Sequence, residues 1–485
     1  MIDGKDQSRR GLLWLGSAAI LARVMDVGAT LAVVSLLSRQ DMGLAALALS
    51  ACAVLESLSG LGVGSALIQA NDVSAREESS LFWLTGGIGL GLGAVLALLG
   101  PLLAHIYAEP ELVSLTVFSS LKLLFIGLSV VPMQLLSKNL KFKEVGAVQT
   151  LSSLAEGLVK IAFALAGAGA WALVVGNVAR GVALVAALWL LSEFRPRLHF
   201  AAAEAARFLR FGLHVAGSSI LFQFYKNADY FLVGKFLGIE PLGLYRVAFD
   251  VAMQPTDAIN AVMGRVGFPV YARLRHDLAA LRAAFVSNTR SLLLMVTPVA
   301  VYVFFAATDL LSLIGGGRWV AAAAAVHVLV IAGLLRAATV IFSQVYMAVG
   351  RPQLSTLDSA VTLVVLVVAF CVGLVLFPEL GILSVCYAWL FAYPLFLCGH
   401  LLLSRRFVGL APFAYLRALA AALGSVVPMA LAAFAAKRLL ASVQLPALTL
   451  GVLALVVLAF HAGYLRWVLK VRWRELVPRR ASSNP

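Results

Sequence analysis

Fourteen apolar stretches recur along the chain, near 12–37, 42–67, 81–104, 113–136, 145–167, 171–191, 212–237, 244–265, 291–314, 320–348, 356–377, 382–403, 418–436 and 448–468. Each is long enough to cross a hydrocarbon core of about 30 Å as a helix. The pattern predicts an all-α membrane protein of about 14 transmembrane helices. An even number of spans puts both termini on one side. Of the two alternating sets of loops, one holds only Arg39, Arg318, Lys437 and Arg438, whereas the other, with both tails, holds the large majority of the Lys and Arg. Basic loops stay in the cytoplasm, so both termini are expected there. The first apolar run follows Lys5, Arg9 and Arg10 and continues past Arg23 to Leu37. It is too long for the apolar region of a signal peptide and reads as an uncleaved first span. The longest loops, near 192–211 and 266–290, are basic and are expected to form short amphipathic surface helices, as over Ala201 to Phe211.

The loops contain an internal repeat. Leu37-Ser38-Arg39-Gln40-Asp41-Met42-Gly43-Leu44 joins spans one and two, and Leu237-Gly238-Ile239-Glu240-Pro241-Leu242-Gly243-Leu244 joins spans seven and eight, in the same register 200 residues on. Both lie on the same side of the membrane, which implies parallel repeats related by an axis along the membrane normal, an arrangement used by transporters.

Composition agrees with the spans. The 485 residues are 62% hydrophobic and 13% charged, against about 45–50% and 25% in soluble domains. The net charge of +15 follows from the basic inner loops and does not call for nucleic acid. Cys52, Cys371, Cys386 and Cys398 all fall in apolar spans, without metal-ligand or redox spacing. The seven histidines are scattered, and there is no nucleophile elbow and no phosphate-binding loop. No catalytic residue, metal site or cofactor is expected. Gly60-Leu61-Gly62-Val63-Gly64 lacks dinucleotide-loop spacing, and the glycines of span three (Gly86, Gly87, Gly89, Gly91, Gly93) read as a close-packing surface.

The candidate chemistry is charge inside the spans. Arg23 and Asp26 are spaced i, i+3 in span one, as are Lys226 and Asp229 in span seven, so each pair shares a helix face. Such residues cost about 2.5–3.5 kcal/mol each at mid-membrane, and their usual place is a bundle interior or a wet cavity. Glu156 and Lys160 in span five, and Arg246 and Asp250 in span eight, are spaced i, i+4 and read equally well as structural salt bridges or as cavity groups. Glu56, Arg180, Arg336 and Asp358 add single charges. Arg180 and Arg336 have no acid within a helical turn, which makes them the leading candidates for an anion site. Pro255, one turn past Asp250 and just before Asp257, is the candidate hinge.

Several stretches, in order, carry a resemblance: Leu36 through Leu44; Leu61 through Gln69; Gly167-Ala168-Gly169-Ala170-Trp171; Asn227-Ala228-Asp229-Tyr230; Leu237 through Tyr245; and Met347 through Pro352. From about residue 10 to 410 the chain resembles the polysaccharide transporter family of lipid-linked oligosaccharide flippases (Wzx-like), of the colanic-acid and exopolysaccharide type, within the multidrug/oligosaccharidyl-lipid/polysaccharide exporter superfamily. The resemblance implies two six-helix lobes around a cationic cavity plus two C-terminal helices, here 1–205, 206–403 and 404–485. It implies a bacterial cytoplasmic membrane and a cargo of undecaprenyl-pyrophosphate-linked repeat units, with polysaccharide polymerase and assembly proteins as partners and membrane lipid as surroundings.

On that reading Arg23, Arg180, Lys226, Arg336, Arg246 and Lys160 bind the anionic head group. Asp26, Glu56, Asp229 and Asp250 couple transport to a proton or sodium ion, and the cavity opens alternately to the two sides. Three alternatives stay open. One is another cargo of the same superfamily, a drug or the peptidoglycan lipid precursor. The second is a membrane polymerase or glycosyltransferase, which the short outer loops disfavour. The third is a scaffold of a polysaccharide assembly complex.

Overall fold

The computed structural model describes residues 25, 28–60, 62–69, 73–442 and 445–470. Arg23 and Asp26 lie outside the described residues, as do the N-terminal bases and most of the basic tail. The described chain is helical, with no strand. A first helix α1 is seen over 28–36. It is followed by α2 (Arg39–Glu56), α3 (Val63–Gln69), α4 (Ala75–Tyr107), α5 (Glu111–Lys138), α6 (Phe142–Leu165), α7 (Trp171–Leu191), α8 (Ala202–Leu237) and α9 (Ile239–Arg273). Then come α10 (Leu278–Leu313), α11 (Ala323–Thr339), α12 (Ile341–Ala348), α13 (Pro352–Leu376), α14 (Ile382–Phe407), α15 (Pro412–Leu423), α16 (Val426–Leu439) and α17 (Pro446–Gly463).

Among the described residues, 10 helical runs are long and apolar enough to cross a membrane. The expected spans outside that set are one, two, seven and eight. Most of span one is outside the described residues. Span two stops at Glu56 and resumes as α3 after a turn. Spans seven and eight fall within α8 and α9, whose charged residues break the apolar run.

Two expectations are corrected. The segment Ala201 to Phe211 is not a separate surface helix: α8 starts at Ala202 and continues to Leu237. Likewise α9 runs on to Arg273, and α10 starts at Leu278, where Asp277 caps it by accepting from the N–H groups of Ala279 and Ala280. At about 1.5 Å per residue, these helices of 35–36 residues exceed the hydrocarbon thickness, so the expected loops are helix overhangs. The helix α9 continues unbroken through Pro255.

Chain contacts form two compact units. The first comprises Met1–Arg246 with Ser359–Ile382, and the second comprises Val247–Asp358 with Leu383–Pro485. In the first unit, α4 and α5 meet through glycine. A Cβ on Gly89 would strike the carbonyl of Leu123, and one on Gly127 would strike that of Thr85. Gly86 and Gly93 share this seam, whereas Gly87 and Gly91 face open space. The predicted glycine surface is therefore one face of α4.

The two repeat motifs also meet each other within the first unit. The copy at 38–44 opens α2 with a capping box, in which Ser38 Oγ accepts from Asp41 N at 3.1 Å and Asp41 Oδ2 accepts from Ser38 N at 3.0 Å. Gly43 rests on the carbonyl of Ile239, and Gly243 rests on that of Arg39, with no room for a Cβ at either. Nearby, Gln223 of α8 donates to the carbonyl of Ala53 at 3.3 Å, and Tyr107 donates to that of Phe231 at 3.0 Å.

In the second unit an aromatic core joins α9, α10, α12 and α15. Phe285 stacks on Tyr415, with centroids 5.5 Å apart and planes 14° apart, and Phe342 packs edge-on to Phe285 at 4.9 Å. The thirteenth span breaks between α15 and α16 at Gly424 and Ser425, where Tyr464 donates to the carbonyl of Ala421 at 2.8 Å.

Candidate functional site

The intramembrane charges fall into discrete clusters inside each unit. In the first, Glu156 of α6 is buried and takes two cations. Lys160 Nζ lies 2.6 Å from Glu156 Oε1, and Arg180 Nη1 of α7 lies 2.8 Å from Glu156 Oε2. The lysine comes from the next turn of the same helix, as the i, i+4 spacing predicts. The arginine comes from the neighbouring helix, which no spacing could predict. Gly176 lets α7 approach, since a Cβ there would overlap the Lys160 stem. Within the triad the cations differ in exposure: the Lys160 side chain is 10% exposed and that of Arg180 is 42%. Arg180 sits near the middle of the apolar α7, where exposure to lipid tails would be expensive. Its exposed surface therefore belongs against water or a polar ligand.

Glu56, at the C-terminus of α2, is bridged by Lys122 Nζ of α5 at 2.6 Å. Sequence reading passed over Lys122. The signal was present all the same: a single cation in an otherwise apolar span, like Arg180. Asp229 of α8 is 0% exposed. Its Oδ2 accepts from the Tyr245 hydroxyl at 2.6 Å and its Oδ1 from the Tyr230 N–H at 2.9 Å. Arg246 lies over the Tyr230 ring, 5.1 Å from its centroid, a cation–π geometry. Asp229, Tyr230, Tyr245 and Arg246 thus form one cluster where α8 meets α9. Lys226 is half-buried one turn earlier on α8.

In the second unit Arg336 of α11 is buried, and its Nη1 lies 3.0 Å from Asp257 Oδ1 of α9. Its side chain is 8% exposed. Both arginines that lacked a sequence-local acid therefore have one from another helix. Asp250 lies two turns before Asp257 on α9 and is half-buried. Asp358 of α13 meets His400 Nε2 of α14 at 3.3 Å, and His400 Nδ1 lies 3.2 Å from the Tyr346 hydroxyl. Phe342 stacks on the His400 ring at 4.8 Å. His400 looked scattered in sequence because its partners lie on α12 and α13. Among the described residues no three His, Cys, Asp or Glu side chains converge as metal ligands.

Outside the spans, Lys141 Nζ reaches Glu193 Oε1 at 2.7 Å across the turn that follows α7. Its hydrogen bond and charge hold the Glu193 carboxyl below the usual carboxylate range.

The model of a family described as polysaccharide biosynthesis protein matches residues 32–324. The chain is 28% identical over 298 residues to the teichuronic acid biosynthesis protein TuaB of Bacillus subtilis, covering 61% of this chain and 62% of that protein, less than two thirds of its length. It is 25% identical over 362 residues to the lipopolysaccharide biosynthesis protein WzxC of Escherichia coli, covering 72% of each. Among solved structures, the lipid II flippase MurJ superposes with a TM-score of 0.73 at 12% identity, over 94% of this chain and 100% of that one. A multidrug resistance MATE family transporter of the MOP superfamily superposes at 0.63 and 16% identity, over 81% and 98%. At these identities the structural likeness establishes the fold: an all-α membrane architecture shared with transporters.

Proposed function

We propose a function from one premise: the chain belongs to the polysaccharide biosynthesis protein family. It is a flippase that moves lipid-linked oligosaccharide repeat units, carried on undecaprenyl pyrophosphate, across the bacterial cytoplasmic membrane for extracellular polysaccharide synthesis. It works by alternating access, with both termini in the cytoplasm, and is not an enzyme. A glycan and a pyrophosphate do not cross hydrocarbon unaided, whereas a prenyl tail stays in it, so the protein need only shelter the head group.

The observation that carries this reading is Arg180. It stands mid-span, held by Glu156 and 42% exposed, so its open surface is placed to meet an anion without the side chain having to be ordered first. Lys160 and Glu156 hold it; Arg246 and Lys226 extend the basic lining. Arg336, buried against Asp257, supports its own unit. Asp229 is the best-placed coupling carboxylate: it is fully buried, yet two donors already orient its oxygens. Asp250 and Glu56 are secondary. A drug cargo is supported only by the fold shared with a drug transporter.

The test is made in a strain lacking this chain. Loss of the chain should strand lipid-linked glycan on the cytoplasmic leaflet. Arg180→Ala should reproduce that defect at normal membrane levels, and Arg180→Lys should restore part of the export. Full export by Arg180→Ala overturns the head-group assignment, and export unaffected by deletion of the chain overturns the function.

A further inference from the structure

A second basic site lies inside the second unit, apart from every cluster described above. The first turns of α10 and the length of α15 enclose an open cavity of about 690 Å³. Arg282 and Arg290 come to it from α10, and Arg417 from α15. No Asp or Glu lines it. Spacing explains why it exists. Arg282 and Arg290 are eight residues apart, on one face of α10. On α15, Tyr415 and Leu419 turn into the aromatic core, while Ala414, Ala418 and Ala421 face the cavity. Methyl groups where large side chains would fill the seam leave the space open.

The three arginines have few protein partners. Arg282 donates to the carbonyl of Gly409 at 2.9 Å. The Nε of Arg290 is buried without a hydrogen-bond partner. Arg417 is exposed, and none of the three forms an ion pair among the described residues. Three like charges around one space repel each other, and a buried N–H without an acceptor costs about 1–3 kcal/mol. An anion with several oxygens relieves both.

Depth identifies the anion. The helix α10 has 36 residues, about 54 Å at 1.5 Å per residue, against about 30 Å of hydrocarbon. Its uninterrupted apolar run begins just after Arg290, and that of α15 and α16 begins just after Arg417. The arginines therefore stand where lipid phosphates lie, at the edge of the hydrocarbon. A basic pocket between spans at that level suits a phospholipid head group, and arginine suits phosphate through its paired donors.

We propose that the cavity between α10 and α15 binds the phosphate head group of an anionic phospholipid. Its placement in the cytoplasmic leaflet rests on the orientation proposed above; the binding itself does not depend on cargo or on orientation. The ligand comes from the bilayer, with its acyl chains left in the membrane beside α15.

The full-length protein, purified in a neutral detergent, is titrated with phosphatidylglycerol, phosphatidylcholine or inorganic phosphate, and bound lipid is counted by native mass spectrometry. The expected result is one phosphatidylglycerol held at least tenfold more tightly than phosphatidylcholine. Arg290→Gln with Arg417→Gln should abolish this preference, and Arg417→Lys alone should keep most of it. Should the double variant fail to fold, Arg417→Gln, at an exposed position, carries the test and should weaken binding about fivefold. Equal retention of both lipids, or an unchanged preference in the variants, overturns the site. Inorganic phosphate displacing the lipid at low millimolar concentration, or undecaprenyl pyrophosphate outcompeting phosphatidylglycerol, overturns the phospholipid as its occupant. All of these measurements are made without glycan, so they stand or fall separately from the export assay.

Discussion

Arg180 and Arg336 look alike in sequence, each a lone arginine in an apolar span, yet the structure treats them differently. Arg336 is shut in against Asp257. Arg180 shares Glu156 with Lys160 and keeps much of its guanidinium open. A lone intramembrane charge thus signals that a partner exists on another helix; it does not say whether the pair is mortar or site. Exposure of the cation separates the two. A sealed pair contributes stability only as a pair, because each member alone is an unpaired buried charge.

The largest expected effect tests the sealed pair. Asp257→Ala removes the acid that meets the buried Arg336, and should cost up to about 3–5 kcal/mol, read as a lower unfolding midpoint in detergent. Adding Arg336→Met should recover most of that loss. If the double variant is no more stable than the single one, the pair is not the mortar described. Next comes the open cluster. Arg180→Ala should reduce glycan export at least tenfold, equivalent to about 1.4 kcal/mol, while the unfolding midpoint barely moves. A fall in stability matching the fall in export would erase the contrast with Arg336.

A smaller effect is expected at the repeat contact. Gly243→Ala forces a methyl group against the carbonyl of Arg39, and overpacking of this kind costs about 1–3 kcal/mol. Cysteine probes at the ends of α2 and α9 should become more accessible in the same variant; unchanged accessibility would show that the contact yields without opening. The smallest effect is at Lys141 and Glu193, an exposed ion pair worth little. Because the folded carboxyl titrates below its ordinary value, its contribution is present above about pH 4.3 and fades as pH falls through the lowered value. Lys141→Met should therefore leave the midpoint at pH 7 unchanged within error and should remove only a slight acid-side slope.

Much of this was legible in the sequence, and the part that was not has a common cause. Apolar runs located the helices because membrane insertion selects on local hydrophobicity. The glycines of α4 announced a close seam, although only helical geometry decides that Gly89 faces α5 while Gly91 does not. The overhangs of α8, α9 and α10 were hidden, since an amphipathic extension reads as a polar loop. Partner choice was hidden as well. Lys160 was found for Glu156 because four residues separate them. Lys122 for Glu56, Asp257 for Arg336, and Asp358 for His400 each required the packing of another helix. The cavity of Arg282, Arg290 and Arg417 escaped notice for a related reason: its bases had all been counted as loop charges that orient the chain.

The contact between the two repeat motifs has a symmetry of its own. Residue 43 meets 239, and 243 meets 39, so each copy offers the other the same pair of surfaces, a carbonyl and a bare α-carbon. Such a contact is self-complementary: one eight-residue segment fits a second example of itself, as across the axis of a symmetric dimer. The specification for closing it is written once and used twice. A side chain gained in either copy meets the same obstacle, and no change in a single copy can be compensated without breaking the likeness of the two. The chemistry of the charged spans is free to diverge between the repeats; the glycines that bring them together are not.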